Sequence, residues 1–226
     1  MQKRIFLLPG FGEDDRCFEE LKPYLSDFLL LPVDYRPVLD KFTFPFINVR
    51  RFAKALIQFY GIHPSDKLIG HSMGGYFSFQ IRELTGCDIC MIGSFNDPAK
   101  VIHTVQQVPR ITQIAAITGL IKTAALKKYM LEKVKNEHMR NIQSGVMDNF
   151  HTFTNTQLAL MMEMNYEPKI TSNLPNPLRI HDKHDRIVRA PDEPYVQVGG
   201  GHFCLNLHPK ETFDAMHAFL CRNFVF

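Results

Sequence analysis

The chain has 226 residues, 45% of them apolar, and a formal net charge of +3, enough to bury a full core as one domain with an insertion. No apolar run approaches the length of a membrane-spanning helix, and Met1-Gln2-Lys3-Arg4 enters a short strand without a signal-peptide core, so a cytoplasmic protein with no transmembrane segment is expected. There is no basic stripe interleaved with aromatics, so no nucleic-acid partner is expected, and of the five cysteines (Cys17, Cys87, Cys90, Cys204, Cys221), an odd number without metal-like pairing, the loose pair Cys87-x-x-Cys90 reads as buried thiols.

In chain order, the pattern predicts a strand at Arg4–Leu8, a helix at Cys17–Leu25, a strand at Leu29–Pro32, a helix at Phe46–Tyr60 and a strand at Lys67–Ile69. A helix at Tyr76–Leu84 and a strand at Cys87–Gly93 follow, with Gly61 and Gly86 where helices should stop. Alternation along that strand would put Cys87 and Cys90 on opposite faces. From Asn96 to Asn165 no strand is evident. Ile111–Thr123, Ala124–Lys135, Glu137–Met147 and Thr156–Met164 carry helical spacing, punctuated by Pro109, Gly119 and Gly145. Short strands at Leu178–His181 and Tyr195–Val198 and a helix at Lys210–Cys221 complete the chain. Strands alternating with helices imply right-handed crossovers and a parallel sheet covered on both faces, with functional groups gathered at the carboxyl edge.

Gly70-His71-Ser72-Met73-Gly74-Gly75 stands between the apolar Leu68-Ile69 and a helical segment. A serine on a sharp strand-to-helix turn is strained, and strand and helix pass so close that glycine is needed two residues to either side, at Gly70 and Gly74. Such a turn lifts the Ser72 hydroxyl clear of the sheet as a nucleophile and leaves the Met73 N–H at the helix start, aimed where an oxyanion would form. A nucleophilic serine needs a base, and the base an orienting carboxylate. Both occur downstream, past short strands: Asp182 and Asp185 in His181-Asp182-Lys183-His184-Asp185-Arg186-Ile187-Val188, and His202 after Gly199-Gly200-Gly201. The His181-x-x-His184 spacing names no third ligand, so no metal is expected. His71 reads as a local packing or hydrogen-bonding neighbour of the turn, and the triple glycine as a means of presenting His202, since no helix start follows it directly to make a phosphate loop.

The order serine, aspartate, histidine, each just past a strand, resembles the α/β-hydrolases. Lys3-Arg4-Ile5-Phe6-Leu7-Leu8-Pro9-Gly10-Phe11-Gly12 is similar to that family's first core strand and turn, in which a Pro-Gly pair precedes the second oxyanion donor. The resemblance covers nearly the whole chain except its middle and is nearest to short members that omit the usual N-terminal hairpin. It implies an α/β-hydrolase fold: a mostly parallel six-stranded sheet with helices on both faces, a core at 1–95 and 166–226, and a helical cap at 96–165 after the fourth strand. It implies catalytic Ser72, Asp185 and His202, with the backbone N–H groups of Phe11 and Met73 as the oxyanion hole. Asp185 is favoured over Asp182 because Asp185-Arg186-Ile187 matches the family's Asp-x-Ile/Val context, whereas Asp182 stands where a turn glycine is usual, a place where aspartate can tolerate a left-handed turn.

From Lys100 to Arg140 eight basic residues face only two acidic ones, Glu132 and Glu137. A basic cap could steer anionic substrates or an anionic surface; a solvated helix face is the plainer reading. The expected activity is hydrolysis of a small-to-medium carboxylic ester or thioester, a small-molecule acyl substrate, with no cofactor. The alternatives are a carbon–carbon bond hydrolase or lyase using the same residues, or a ligand receptor on a hydrolase scaffold.

Overall fold

The computed structural model describes residues 3–102 and 109–221. Runs such as Ile5-Phe6-Leu7-Leu8 and Ile89-Cys90-Met91-Ile92 are apolar on both faces of a strand and are stable only when covered on both sides. They lie in one sheet of β1 (Arg4–Leu8), β2 (Leu29–Pro32), β3 (Lys67–His71), β4 (Asp88–Ile92), β5 (Leu178–His181) and β6 (Val196–Gln197). The spatial order is β2-β1-β3-β4-β5-β6 and every pairing is parallel. The helices are α1 (Arg36–Leu39), α2 (Val49–Tyr60) and α3 (Met73–Thr85) between the first four strands, then α4 (Pro109–Ile117), α5 (Ala124–Glu132), α6 (Glu137–Asn149) and α7 (Asn155–Met164) after β4. α8 (Cys204–Leu207) and α9 (Pro209–Cys221) follow β6.

Alternation along each strand divides the core in two. Phe6, Leu8, Leu68 and Met91 pack with Phe52 and Leu56 of α2, Phe77 and Ile81 of α3, and Leu158 and Met161 of α7. Ile5, Leu7, Ile69, Ile92 and Ile180 pack on the other side with Leu205 of α8 and Met216, Phe219 and Leu220 of α9. Cys87 falls in the first layer and Cys90 in the second, as their spacing predicts, and burial pushes the Cys87 thiol up to about 12.

All six expected strands are present, but three expected helices differ. In place of one helix at Cys17–Leu25 there are two 3₁₀ turns, Asp15–Phe18 and Lys22–Leu25. Pro23 has no N–H to give a continuing helix and its ring would strike the preceding turn. Asp14 also draws the chain into a short turn by accepting the Arg16 N–H. The helix expected from Phe46 begins at Val49, because the Asn48 side chain caps it by accepting the Arg51 N–H. The helix expected over Ile111–Thr123 ends at Ile117, and a separate 3₁₀ turn follows Gly119.

Among the described residues the regular structure between β4 and β5 is helical, apart from one β-bridge, and 165–177 lead irregularly into β5. α7 seats it on the core, with a capping box formed by Thr154 and Gln157, and the Gln157 amide donates to Asp40 Oδ1 at 2.7 Å. α4 lies on α7 through the Thr112 and Tyr166 hydroxyls, 2.6 Å apart, and through Gln113 donating to Glu163. Val101 and Val188 form an antiparallel bridge, and Ile102 N–H donates to Ile187 O at 2.8 Å, so the start of the insertion pins the loop that follows β5. Residues 103–108 of the expected cap lie outside the described residues.

Glu167, just past α7, accepts the N–H of Val49 at the start of α2. Burial pushes its carboxyl up to about 7 against the pull of that N–H, and Glu163 adds to the rise. The folded value lies above the unfolded one of about 4.3, so the folded chain binds the extra proton between them and stability falls as pH rises through that window. Glu167→Gln keeps an acceptor without the charge. It should raise the melting temperature at pH 8 by about 2–4 °C, as about 1 kcal/mol does in a chain of this size once screening of a half-buried group is allowed for. At pH 4 it should change little; thermal unfolding of both proteins at the two pH values is the check.

Candidate active site

The turn between β3 and α3 is held by close contacts. A Cβ on Gly70 would lie 2.5 Å from the Gly74 carbonyl oxygen, and one on Gly74 would lie 2.0 Å from that of Leu8. Only glycine fits either place, and the approach of α3 to β1 forces Ser72 to φ 51°, ψ −123°, the one positive φ among the described non-glycine residues. Ser94 Oγ donates to the Ser72 carbonyl at 2.6 Å, and its side chain fills the space beside Gly75.

Three of the expected residues come together at the carboxyl edge. His202 Nε2 is 3.0 Å from Ser72 Oγ, and His202 Nδ1 is 2.8 Å from Asp185 Oδ2. The other Asp185 oxygen accepts the N–H groups of Ile187 at 2.7 Å and Val188 at 3.0 Å, in the loop that the Val101 bridge pins. Burial acts to raise the Asp185 carboxyl, but His202 and these two N–H groups outweigh it and hold it below the usual carboxylate range. The line is therefore built for a carboxylate at one end, an imidazole with its proton fixed on Nδ1, and a hydroxyl at the other.

Asp182 does not take part in that line and is not left-handed. Its carboxylate accepts the N–H of His184 at 2.9 Å, the side-chain amide of Gln197 at 3.0 Å, and the N–H of Gly201 at 2.7 Å, one residue before His202. It ties the loops after β5 and β6 to each other. His181 Nε2 bonds to the Val188 carbonyl at 3.0 Å, and among the described residues His181 and His184 fall in no metal-sized cluster.

Phe11 and Met73 both face the space in front of Ser72. Met73 opens α3, so its N–H has no partner within the helix. The Phe11 loop is held by Tyr35, whose hydroxyl donates to Pro9 O at 2.8 Å, and by Asn149 at the end of α6, whose amide donates to Gly12 O at 2.9 Å. Asn149 Oδ1 in turn accepts from Arg16 at 3.0 Å, and the Phe11 ring meets Phe150 edge to face at 5.5 Å. Sequence reasoning did not single out Asn149 or Glu13. Glu13 lies three residues past Gly10, and its carboxylate accepts the Gly10 N–H at 2.7 Å; an acidic residue so soon after an expected oxyanion turn was a usable signal.

A cavity of about 400 Å³ opens in front of Ser72 and His202, between the sheet edge and the insertion. Its walls are mostly apolar, with Met130, Met147, Met162, Ile121 and Leu126 opposite Phe95 and Val188, and its polar lining beyond Ser72 and His202 comes from Glu13, Thr112, Tyr129, Gln143, Asn165 and Tyr166. No lysine or arginine among the described side chains lines it. Lys127 pairs with Asp148, Lys100 with Asp192, Lys122 reaches the Phe153 carbonyl and Arg140 that of Val134. The basic excess is turned away from the cavity, which favours the solvated-face reading; the Arg110 side chain lies outside the described ones.

Sheet, crossovers and turn together define the α/β-hydrolase fold. Comparison with solved structures agrees. A hydrolase from Oleispira antarctica superposes with TM-score 0.73 at 14% identity, over 99% of this chain and 92% of that one. A thermophilic esterase from Thermogutta terrifontis gives 0.71 at 16%, over 99% and 91%, and an enol-lactonase from Burkholderia xenovorans 0.72 at 15%, over 97% and 92%. Neither protein-family models nor curated protein sequences give a match.

The glycine contacts make a direct prediction. Gly74→Ala puts a methyl group 2.0 Å from a backbone oxygen that cannot swing away, so it should destabilise by about 3 kcal/mol or more. Gly145→Ala, with nothing within 4 Å, should leave stability unchanged or slightly raised. Denaturant midpoints of the two variants test this.

Proposed function

We propose that the chain is a serine hydrolase that cleaves small-to-medium, uncharged carboxylic esters or thioesters through an acyl-enzyme on Ser72, with residues 96–165 as its cap. The observation that carries the reading is the Ser72–His202–Asp185 line, with contacts of 3.0 and 2.8 Å, at the mouth of an apolar cavity free of cationic side chains among the described residues.

In the first step Ser72 Oγ attacks the substrate carbonyl carbon while its proton passes to His202 Nε2. Asp185 keeps the other ring proton on Nδ1 and stabilises the imidazolium that forms. The negative charge on the carbonyl oxygen is met by the N–H groups of Phe11 and Met73, fixed before the substrate arrives. Collapse breaks the bond to the leaving alcohol or thiol, which takes the proton from Nε2. Water then attacks the acyl carbon and gives its proton to His202; the acid departs as Ser72 Oγ regains a proton. Nothing in these steps calls for a charge on the acyl chain, and the apolar walls favour its desolvation.

A fluorophosphonate should label the wild-type protein at Ser72 and leave Ser72→Ala unlabelled, and ester turnover should fall about 10⁴-fold or more in that variant. Labelling of Ser72→Ala at the wild-type rate would falsify the assignment. Asp185→Asn should lower kcat by a similar order, since it leaves the imidazole in the wrong tautomer. Asp182→Asn keeps one acceptor oxygen for the loop and should cost only about tenfold.

Cavity chemistry sets a second expectation. Along a series of neutral p-nitrophenyl esters, kcat/KM should rise about fourfold per methylene, the equivalent of about 0.8 kcal/mol, until the cavity is full. Analogues with a distal carboxylate should react more slowly, at low and high salt alike. A preference for the carboxylate series that fades with added salt would instead put the basic residues at the cavity mouth.

A further inference from the structure

A second pair of titratable groups lies beside the proposed triad and has no part in the steps above. Glu13, on the loop after β1, and His71, the last residue of β3, are 6% and 0% exposed. Glu13 Oε2 accepts the Gly10 N–H at 2.7 Å and stands 2.7 Å from His71 Nδ1. On the far side of the ring, His71 Nε2 is 2.9 Å from the carbonyl oxygen of His202, and the two imidazole centroids are 4.9 Å apart.

Counting protons constrains the charge. A carbonyl oxygen can only accept, so His71 Nε2 carries a proton. The contact between Glu13 Oε2 and His71 Nδ1 needs a second, which belongs either to the carboxyl or to the ring. Imidazole is the stronger base, at about 6.5 against about 4.3 for a glutamate. The Gly10 N–H donates to the Glu13 carboxyl and further favours its ionised form. The second proton therefore rests on Nδ1.

We propose that Glu13 and His71 form a buried carboxylate–imidazolium pair that positions the oxyanion loop and the base loop on the nucleophile turn, with His71 doubly protonated across the working pH range. This rests on the triad assignment made above. Each contact of the pair falls next to a working part: Gly10 precedes Phe11, His71 precedes Ser72, and the carbonyl it holds belongs to His202 itself. Glu13 and His71 are positioning residues, since they act through the groups they hold.

The surroundings suit a paired charge. The groups facing His71 are Glu13, the Cys17 thiol, His202 with Asp185 behind it, and the Phe203 ring. Burial and the nearby Glu13 charge push the Cys17 thiol well up, so it stays neutral. Burial acts to lower the His71 value, but Glu13 and the His202 carbonyl outweigh it and the net direction is upward. A neutral sum matters here: an unbalanced cation 4.9 Å from the His202 ring would oppose the imidazolium that must form there, and an unbalanced carboxylate would leave a buried charge with no partner.

Nitrogen-15 correlation spectra of the histidine rings in the wild-type protein, with residue 71 assigned through its connectivity to the backbone, read the proton count directly. Both ring nitrogens of His71 should be protonated and untitrated from about pH 6 to about pH 9, where an ordinary histidine loses its charge. A bare ring nitrogen at pH 7.5 overturns the proposal, and this measurement decides it even if no variant folds. Glu13→Gln should lower kcat about 10–100-fold, as a small misplacement of reacting groups does, with KM changed by less than about threefold. In that variant one His71 ring nitrogen should be bare at pH 8. Glu13→Asp, which keeps the charge, should recover part of the lost rate. Wild-type kcat in Glu13→Gln overturns the positioning role. Double protonation of His71 in a protein with no ester turnover supports the ion pair and overturns the reaction assigned under the previous heading.

Discussion

The carbonyl oxygen of Leu8 and the α-carbon of Gly74 are so near each other that no side chain can stand between them. That single steric constraint sets how deeply α3 settles on β1, and the rest of the carboxyl edge is arranged around the result. It bends the chain at Ser72 into a conformation that an L-residue adopts only when its surroundings leave no alternative. The strain is held by burial on both sides, by Phe77 and Ile81 in one layer and by Ile69 and Ile92 in the other. The core thereby supplies local geometry as well as stability.

The loops that carry the other groups are fixed by short polar ties added to packing, with Val188 in one core layer and Val198 in the other. Asp185 is held by two N–H groups from a loop that the chain after β4 clamps. His202 is approached from three directions, by Asp185 at its ring, by Asp182 through the preceding N–H, and by His71 at its carbonyl. The Asp185 ties to Ile187 and Val188 are local, but those to the His202 segment span 17 to 131 residues and hold the stretch of glycines whose last member, Gly201, opens a 3₁₀ turn.

Much of the fold was legible because its signals are local. Strands buried on both faces read as continuous apolar runs, and the strand–turn–helix context of Ser72 is contiguous. Ser72, Asp185 and His202 follow from a motif and a chain order, and the structure brings them within hydrogen-bonding distance. What was misread has local causes that compete with periodicity: Pro23 divides a helical pattern, and Asn48 starts a helix three residues later than its apolar spacing suggests. What was illegible is long-range. Nothing near Glu13 in sequence says that His71 will stand against it, and nothing near Asn149 says that its amide will reach Gly12, 137 residues away. The direction of the basic side chains could not be read either, because it depends on how α4 to α7 dock.

The reach of Asn149 has a mechanical consequence. It ends α6 in the insertion, yet its amide supports the same loop that presents the Phe11 N–H, and Phe150 beside it presses on the Phe11 ring. Roof and cradle share a fastening. On the reading proposed above, an outward swing of α6 would strip the loop that carries the proposed oxyanion donor of that support, so a wider entrance and a firmly held Phe11 N–H exclude each other.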